Sequence, residues 1–364
     1  MGKKLEILKQ YDDNKRLYLS FLNEIEHQIR SILQTSQIAC NDISSRIKDR
    51  GSLAEKIERK QKYADLADIT DICGVRIITY YASDVDRIAE IIESEFDVDH
   101  ENSIDKRESL EPDKFGYCSV HYVVKMGVHR LSLRECQAYK GLKCEIQIRS
   151  VLQHAWAEIE HDIGYKSEIA IPKEMRRSFS RIAGLLEIAD IEFNNIRQTL
   201  REYKTDVQSQ IQNNNLLDGE IDAVILDVLT ESNTQIKQLN THIHSLTGVP
   251  FDDSVDSFSH ATIIKHLHWL GVKTVRQLHD VILNHTEEAK IIASEMLKNY
   301  DNKEKPKTIR KTIAFFYLCY ALLLVNECTV ERVYSYLSDM AIGLSKDRIQ
   351  SAKEIYQIKE SGKI

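Results

Sequence analysis

The segment that most constrains the fold runs from residue 144 to residue 161, where a strand pattern passes directly into a helix pattern. Polar residues at 145, 147 and 149 alternate with apolar residues at 144, 146 and 148. Successive strand side chains point to opposite faces, so Glu145, Gln147 and Arg149 share one face. A polar stripe on a buried strand costs free energy unless it meets a ligand, a metal or a partner. The alternative is a strand with one solvated face.

Two upstream strands carry polar residues in the same way. Asp71 stands at the entry to a β-rich run that contains Gly74, a residue small enough for close approach. Further along, Tyr117, Ser119 and His121 recur at a spacing of two and share one strand face. Three successive strands that each carry a polar face predict a single polar cleft rather than three separate solvent-exposed surfaces.

A cationic segment precedes these strands. Lys48, Ser52 and Lys56 are four residues apart, a spacing typical of one helix face or helical turn, although Gly51 weakens that geometry. Cations with an interposed hydroxyl suit a polyphosphate, because they neutralise its charge and donate hydrogen bonds. The alternative is an ordinary solvated helix face.

Together these motifs resemble the RelA/SpoT-type alarmone synthetase domain over about the first 200 residues. That family moves a pyrophosphate group from ATP to the 3′-hydroxyl of a guanine nucleotide. The matching residues, in order, are Arg46, Lys48, Ser52 and Lys56; Asp71, Gly74 and Arg76; Gly116, Tyr117, Ser119 and His121; Glu145, Gln147 and Arg149; and Trp156, Ala157, Glu160, His161, Tyr165 and Lys166.

The resemblance implies Mg²⁺ as cofactor and a role for each matching residue. Asp71 and Glu145 are the implied metal ligands and catalytic residues, with Glu145 as ligand, general base for the 3′-hydroxyl, or both. The implied ATP-binding residues are Arg46, Lys48, Ser52, Lys56 and Arg76. The implied acceptor-binding residues are Lys106, Tyr117, which stacks on the base, His121, Gln147 and Arg149. In a regular strand, Arg76 and Asp71 face opposite ways, so support of the sheet is an alternative role for Arg76.

Two departures from the family pattern leave the identity of the acceptor molecule undecided. Phe115 stands where the family commonly has Asn, and Asp113 where it commonly has Lys. The leading hypothesis is a pyrophosphokinase that uses GDP or GTP. A toxin with the same chemistry, acting on tRNA or an adenine nucleotide, is the first alternative, and a catalytically silent nucleotide-binding regulator is the second. Many long enzymes that resemble this family carry a hydrolase domain marked by a His-Asp pair. Here the pair His161-Asp162 lies inside the synthetase motif, so we expect no alarmone hydrolysis.

Composition predicts a cytoplasmic protein that does not enter a membrane. Of 364 residues, 42% are hydrophobic and 29% are charged, which is ordinary for a globular protein. The net charge of −7 argues against strong nonspecific nucleic-acid binding. Seven cysteines include no Cys-x-x-Cys pair, so no zinc knuckle is indicated. The N-terminus lacks a signal-peptide core, and the longest apolar run, 313–325, is too short to cross a bilayer.

The predicted fold is α/β, with a mixed-sheet, nucleotidyltransferase-like synthetase core flanked by helices and an all-helical C-terminal domain. The predicted domains are 1–212 and 213–364, divided near three asparagines at 213–215. Pro172 predicts the start of a long helix, and Thr274 is a predicted N-cap after a tight turn. Regulation, binding of tRNA or another partner, and homo-oligomer formation are the roles expected for the helical domain.

Overall fold

The computed structural model describes residues 2–105, 119–162, 172–213, 219–252, 257–298, 306–325, 328–342, 347–362 and 364. The chain divides into two compact units, Met1–Gln198 and Thr199–Ile364. The predicted domain boundary at 212/213 stays a prediction. Lys106, Tyr117 and the departures at 113 and 115 lie outside the described residues.

The first unit alternates helices and strands. Its helices are α1 (Gly2–Thr35), α2 (Arg50–Lys60), α3 (Ala82–Glu95), α4 (Val128–Leu131), α5 (Val151–Asp162) and the beginning of α6 (Lys173–Gln212). Its strands are β1 (Cys40–Ile47), β2 (Cys73–Thr79), β3 (Phe96–Val98), β4 (Ile104–Asp105), β5 (Val120–Met126) and β6 (Cys144–Ser150). Single 3-10 turns occur at Leu66–Asp68 and Gln137–Tyr139. The predicted long helix after Pro172 is confirmed.

The strands form one mixed sheet in the order β1-β2-β6-β5-β3, with β4 paired to β5. The β2–β6 pair is parallel and the other pairs are antiparallel, which confirms the predicted mixed α/β core. A parallel pair needs a crossover connection. Here it runs from β2 through α3, β3, β4 and β5 before β6.

One sheet face carries the apolar residues of the alternating pattern. Val75 and Ile77 on β2, and Ile146 and Ile148 on β6, are at most 1% exposed and join a core that includes Phe21 of α1. Apolar burial contributes roughly 25 cal/mol per Å². Since the pleat sends alternate side chains to the other face, the polar residues of β2 and β6 are held together there.

The start of α2 differs from the prediction of one continuous helical face. Asp49 is the N-cap, and its carboxylate accepts hydrogen bonds from the backbone N–H groups of Gly51 and Ser52. Lys48 therefore precedes the helix, and Gly51 lies in its first turn without interrupting it. Lys48 reaches the same place as Lys56 from the loop between β1 and α2.

The first part of α6 is attached to the sheet by polar contacts. Ser150 Oγ, at the end of β6, donates to Asp190 Oδ2 at 2.7 Å. Asn194 Oδ1 accepts from the backbone N–H of Ser83 at 3.3 Å, at the first turn of α3. Arg197 pairs with the buried Asp84 at 2.6 Å. These contacts account for the position of α6 against the carboxyl ends of β2 and β6.

In its described residues, the second unit is mostly helical and includes one short strand pair. It contains α7 (Ala223–Ser232), α8 (Thr234–Thr247), α9 (Ser257–Trp269), α10 (Val275–Leu297), α11 (Ile313–Val325), α12 (Val330–Asp339) and α13 (Arg348–Glu360). The predicted helical C-terminal domain is confirmed, and it also contains the strands β7 (Phe251–Asp252) and β8 (Ile309–Arg310), which form a short parallel pair. Thr274 caps α10 as predicted. In the parts of the chain described above, no helix combines the length and the apolarity that crossing a membrane requires.

Candidate functional site

A polar cavity lies over the face of β1, β2 and β6 that is turned away from the core. Its volume is about 450 Å³. It is lined by Ser44, Ser45, Arg46, Ile47, Lys48, Asp49, Ser52, Asp71, Gly74, Val75, Arg76, Glu145 and Gln147. Seven of the predicted site residues therefore line this cavity, together with Gly74, whose smallness the sequence had singled out. Ser44 and Ser45 were not predicted, because isolated serines on a strand carry no distinctive signal.

Strand register explains why these residues meet. Arg46 lies opposite Gly74, which in turn lies opposite Glu145. Arg76 lies opposite Gln147. A Cβ atom added to Gly74 would find its nearest neighbour at 3.8 Å, an ordinary contact, so packing within the protein does not demand glycine there. The glycine instead leaves open space between Arg46 and Glu145.

Asp71 precedes β2 and holds two lysine ammonium groups. Its Oδ2 atom lies 2.9 Å from Lys48 Nζ and 2.6 Å from Lys56 Nζ. Burial favours the neutral acid, but the hydrogen bonds and charges of the two lysines outweigh it and lower the pKa of Asp71. Ser52 and both lysines also line a second cavity of about 670 Å³ next to the first. Two of the predicted phosphate-binding side chains, those of Lys48 and Lys56, thus meet at one carboxylate.

The prediction for Arg76 needs one correction. Because β2 begins at Cys73, the alternation of faces along a strand does not extend back to Asp71. Asp71 and Arg76 line the same cavity instead of facing opposite ways. Arg76 Nη1 lies 3.3 Å from Glu158 Oε1 on α5, a partner that the sequence had not indicated.

Glu145 is held by hydrogen bonds on both carboxylate oxygens. Its Oε1 atom lies 3.2 Å from His121 Nδ1, and its Oε2 atom accepts from Gln147 Nε2 at 3.1 Å. Burial opposes ionisation, yet the hydrogen bonds from His121 and Gln147 lower the pKa of Glu145. The negative charge of Asp71 acts in the opposite direction, which places the two carboxylates within electrostatic reach. Glu145 is accordingly a fixed carboxylate at neutral pH.

The polar stripe of β6 ends in a buried cation. Arg149 is 9% exposed, and its Nη2 atom donates to Gln147 Oε1 at 3.2 Å. Burial, followed by repulsion from Arg76, lowers the pKa of Arg149. The predicted shared face of Glu145, Gln147 and Arg149 is therefore a connected network of side chains.

The carboxylates of this site suit a magnesium ion. Asp71 Oδ1 is buried and has no hydrogen-bond partner among the residues that the structure describes. Mg²⁺ prefers one or two carboxylates plus phosphate oxygens and water, rather than a complete protein cage. The described residues contain no group of three or more His, Cys, Asp or Glu side chains that could hold a metal by themselves. Asp71 and Glu145 fit a metal that a nucleotide helps to bind.

Tyr11 supports this site from α1, a role that the sequence did not reveal. It is 1% exposed, and its hydroxyl donates to the backbone carbonyl of Lys48 at 2.7 Å. The N–H of Lys48 donates to the carbonyl of Ile72 at 2.8 Å. The backbone of Lys48 is thereby held on both sides, which orients its side chain toward Asp71.

Replacing Tyr11 by Phe is expected to raise the KM for a phosphate-bearing donor by about fivefold, because a typical hydrogen bond contributes about 1 kcal/mol. Steady-state kinetics measures the effect. Tyr18→Phe is the matched control, since Tyr18 is a buried tyrosine of the same helix. Equal KM values for the two variants would contradict the role of Tyr11.

Comparison with known proteins identifies the region that contains this cavity. Residues 45–170 match the family described as "Region found in RelA / SpoT proteins". The GTP pyrophosphokinase YjbM of Bacillus subtilis (strain 168) is 28% identical over 162 residues, which are 44% of this chain and 73% of that protein. The GTP pyrophosphokinase YwaC of the same strain is 28% identical over 158 residues, which are 42% of this chain and 72% of that protein. The crystal structure of the small alarmone synthetase 1 from Bacillus subtilis is 24% identical, with a TM-score of 0.44, and covers 53% of this chain and 98% of that one.

Proposed function

We propose that this chain, which carries a domain of the RelA/SpoT family in residues 45–170, is an ATP-dependent pyrophosphokinase. It transfers the β,γ-pyrophosphate of ATP to the 3′-hydroxyl of GDP or GTP and so makes guanosine tetra- or pentaphosphate. The observation that carries the proposal is the placement of Asp71 and Glu145 in one cavity with Arg46, Lys48 and Arg76. The two relatives named GTP pyrophosphokinase support the reaction class.

The chemistry needs charge neutralisation around the phosphates and a base for the hydroxyl. The 3′-oxygen attacks the β-phosphorus of ATP, the bond from that phosphorus to the α,β-bridging oxygen breaks, and AMP leaves. Glu145, ionised and fixed by His121 and Gln147, accepts the proton of the 3′-hydroxyl. Positioning and electrostatic stabilisation supply most of the catalysis in phosphoryl transfer.

The donor side of the cleft is cationic. Arg46, Lys48, Lys56 and Arg76 hold the triphosphate of ATP, and Ser52 donates a hydrogen bond to it. Asp71 and Glu145 would hold Mg²⁺, which would supply neutralisation of the charge on the transferred group. The pairing of both lysines with Asp71 keeps their ammonium groups close to the cavity before ATP binds.

The acceptor side consists of Lys106, Tyr117, His121, Gln147 and Arg149. This part of the proposal depends on the match to the family motifs, because Lys106 and Tyr117 lie outside the described residues. The acceptor is proposed as a guanine nucleotide. The toxin alternatives, in which an adenine nucleotide or the 3′ end of tRNA accepts the same group, differ only in the acceptor.

One assay separates these possibilities. The full chain is incubated with Mg²⁺, γ-labelled ATP and, in turn, GDP, GTP, ADP and tRNA, with Glu145→Gln as the inactive control. We expect label on GDP or GTP together with an equal amount of AMP. Label on tRNA or ADP instead would assign the alternative acceptor, and no AMP with any acceptor would overturn the pyrophosphokinase proposal.

For residues 213–364 we propose a regulatory or interaction role, with tRNA, another protein or a second copy of the chain as partner. Support comes from the size of the helical unit and from the location of all proposed site residues before residue 150. Light scattering of the full chain, alone and with tRNA, tests for these partners. A monomer that binds no tRNA would exclude those two partners and leave another protein or regulation within the chain as the remaining roles.

A further inference from the structure

Arg149 is buried in a way that requires explanation. No carboxylate among the described residues forms an ion pair with it, although it is 9% exposed. A buried charge without a partner is costly, and proteins retain such groups mainly where they do something other than stabilise the fold. Its Nη2 atom contacts Gln147 Oε1 at 3.2 Å and His121 Nε2 at 3.3 Å.

The contact with His121 has only one allowed direction. A guanidinium has donors and no acceptor, and it stays protonated in proteins. The lone pair of His121 Nε2 must therefore point toward Arg149. The hydroxyl of Ser119, 2.7 Å from the same nitrogen, can donate to it as well.

When one ring nitrogen of His121 accepts a hydrogen bond, the proton of the neutral ring must lie on the other nitrogen. A neutral imidazole has one donor and one acceptor nitrogen, and the hydrogen bond at one of them sets the proton on the other. With Nε2 as acceptor, the proton lies on Nδ1, which is 3.2 Å from Glu145 Oε1. The opposite tautomer could donate from Nε2 to Ser119 Oγ, but it would direct a lone pair at the Glu145 carboxylate and leave the guanidinium nitrogen of Arg149 without an acceptor.

We propose that Arg149 is a positioning residue that holds His121 in the Nδ1–H tautomer, so that His121 donates to Glu145 and orients the catalytic carboxylate. Arg149 thus belongs to the acceptor side of the cleft by its position, and it acts there through His121 instead of by its own contact with the acceptor. His121 serves the acceptor side through Glu145, since its two nitrogens are already engaged. The kinetic consequence rests on the proposed pyrophosphokinase function, whereas the tautomer does not.

The tautomer is measured directly by nitrogen NMR on the full chain labelled with ¹⁵N-histidine. Spectra are recorded over a series of pH values, and the tautomer is read in the range where the nitrogen shifts no longer change with pH. The signals of His121 are those that disappear in His121→Gln. We expect a protonated Nδ1 in the wild type, a shift toward protonated Nε2 in Arg149→Met, and retention of protonated Nδ1 in Arg149→Lys, which keeps a cationic donor.

Kinetics supplies the second measurement. Arg149→Met is expected to lower kcat by about 10²-fold, the lower end of the range for general base catalysis, with little change in either KM. The amide of His121→Asn can donate a hydrogen bond from the position of Nδ1, so this variant should retain a larger kcat than His121→Gln. If Arg149→Met fails to fold, the comparison of these two variants tests the same role. Arg181→Met, at an exposed arginine of α6, is the matched control.

The outcomes are distinguishable. A protonated Nε2 in the wild type, or an unchanged tautomer in Arg149→Met, would overturn the proposal. A raised acceptor KM with unchanged kcat and tautomer would also overturn it and assign Arg149 to acceptor binding. An inactive wild-type protein with protonated Nδ1 would refute the pyrophosphokinase function while leaving the tautomer established.

Discussion

Glu145→Gln is expected to lower kcat for pyrophosphate transfer by about 10²- to 10⁴-fold, the range that general acid–base catalysis contributes. The substitution removes the charge that accepts a proton. It leaves an amide of nearly the same shape, with one oxygen still able to accept from His121 or Gln147. The KM for ATP and for the acceptor should change much less than kcat, because the side chain is nearly isosteric.

The measurement is initial-rate kinetics on purified protein whose circular dichroism matches the wild type. Glu90→Gln, at an exposed carboxylate of α3, is the matched control and should leave kcat unchanged. Since the pKa of Glu145 lies below its ordinary value of 4.5, this carboxyl should contribute no titration to the activity at neutral pH. Near wild-type turnover by Glu145→Gln would remove Glu145 from the reaction.

The second large decrease in kcat is expected for Asp71→Asn. We expect kcat to fall by about 10²-fold, the equivalent of about 3 kcal/mol of transition-state stabilisation, because the substitution removes a proposed magnesium ligand. The Mg²⁺ concentration for half-maximal rate should rise. Lys48 and Lys56 also lose their common carboxylate partner, so their ammonium groups are less well placed for the phosphates of ATP.

The same substitution should lower the stability of the first unit by about 1.5–3 kcal/mol at pH 7, the range for hydrogen bonds to charged groups. The folded-state pKa of Asp71 is lowered, so its ionised form contributes stability above the unfolded-state pKa of about 4. That contribution is lost as pH falls through the lower folded-state pKa. The difference between wild type and Asp71→Asn should therefore be full at pH 7 and should shrink below about pH 4.

Tryptophan fluorescence measures this stability in urea. In a Trp269→Phe background, Trp156 of α5 is the remaining tryptophan and reports on the first unit. Asp12→Asn is the control, because the pair of Asp12 and Arg50 is exposed and such pairs contribute at most about 1 kcal/mol. Equal unfolding curves for Asp71→Asn and wild type at pH 7 would contradict the contribution of the lysine pairs.

Much of the local structure could be predicted from short stretches of sequence. Pro172 predicted the start of α6, and Thr274 predicted the cap of α10. The alternation from 144 to 150 predicted that Glu145, Gln147 and Arg149 share a face, and hydrogen bonds join them. These predictions hold because strand alternation and helix capping depend on a few consecutive residues.

Other features of the site depend on contacts between distant residues. Tyr11 meets the carbonyl of Lys48 across 37 positions of sequence, and no local pattern marks that contact. The spacing of Lys48 and Lys56 suggested one helix face, whereas Asp49 begins the helix after Lys48. The two ammonium groups meet only because Asp71, brought in by the start of β2, binds both.

The sequence by itself determined which residues of each strand are polar and which enter the core, because the direction of a side chain follows from the backbone of its own strand. Only the tertiary structure decided which polar stripes lie side by side. The parallel register of β2 and β6 places Gly74 opposite Glu145 and Arg76 opposite Gln147, and β5 brings His121 to the other side of Gln147. Register is a property of two strands at once, set by the packing of their shared core face, and for that reason it lies beyond what a single segment of sequence can determine.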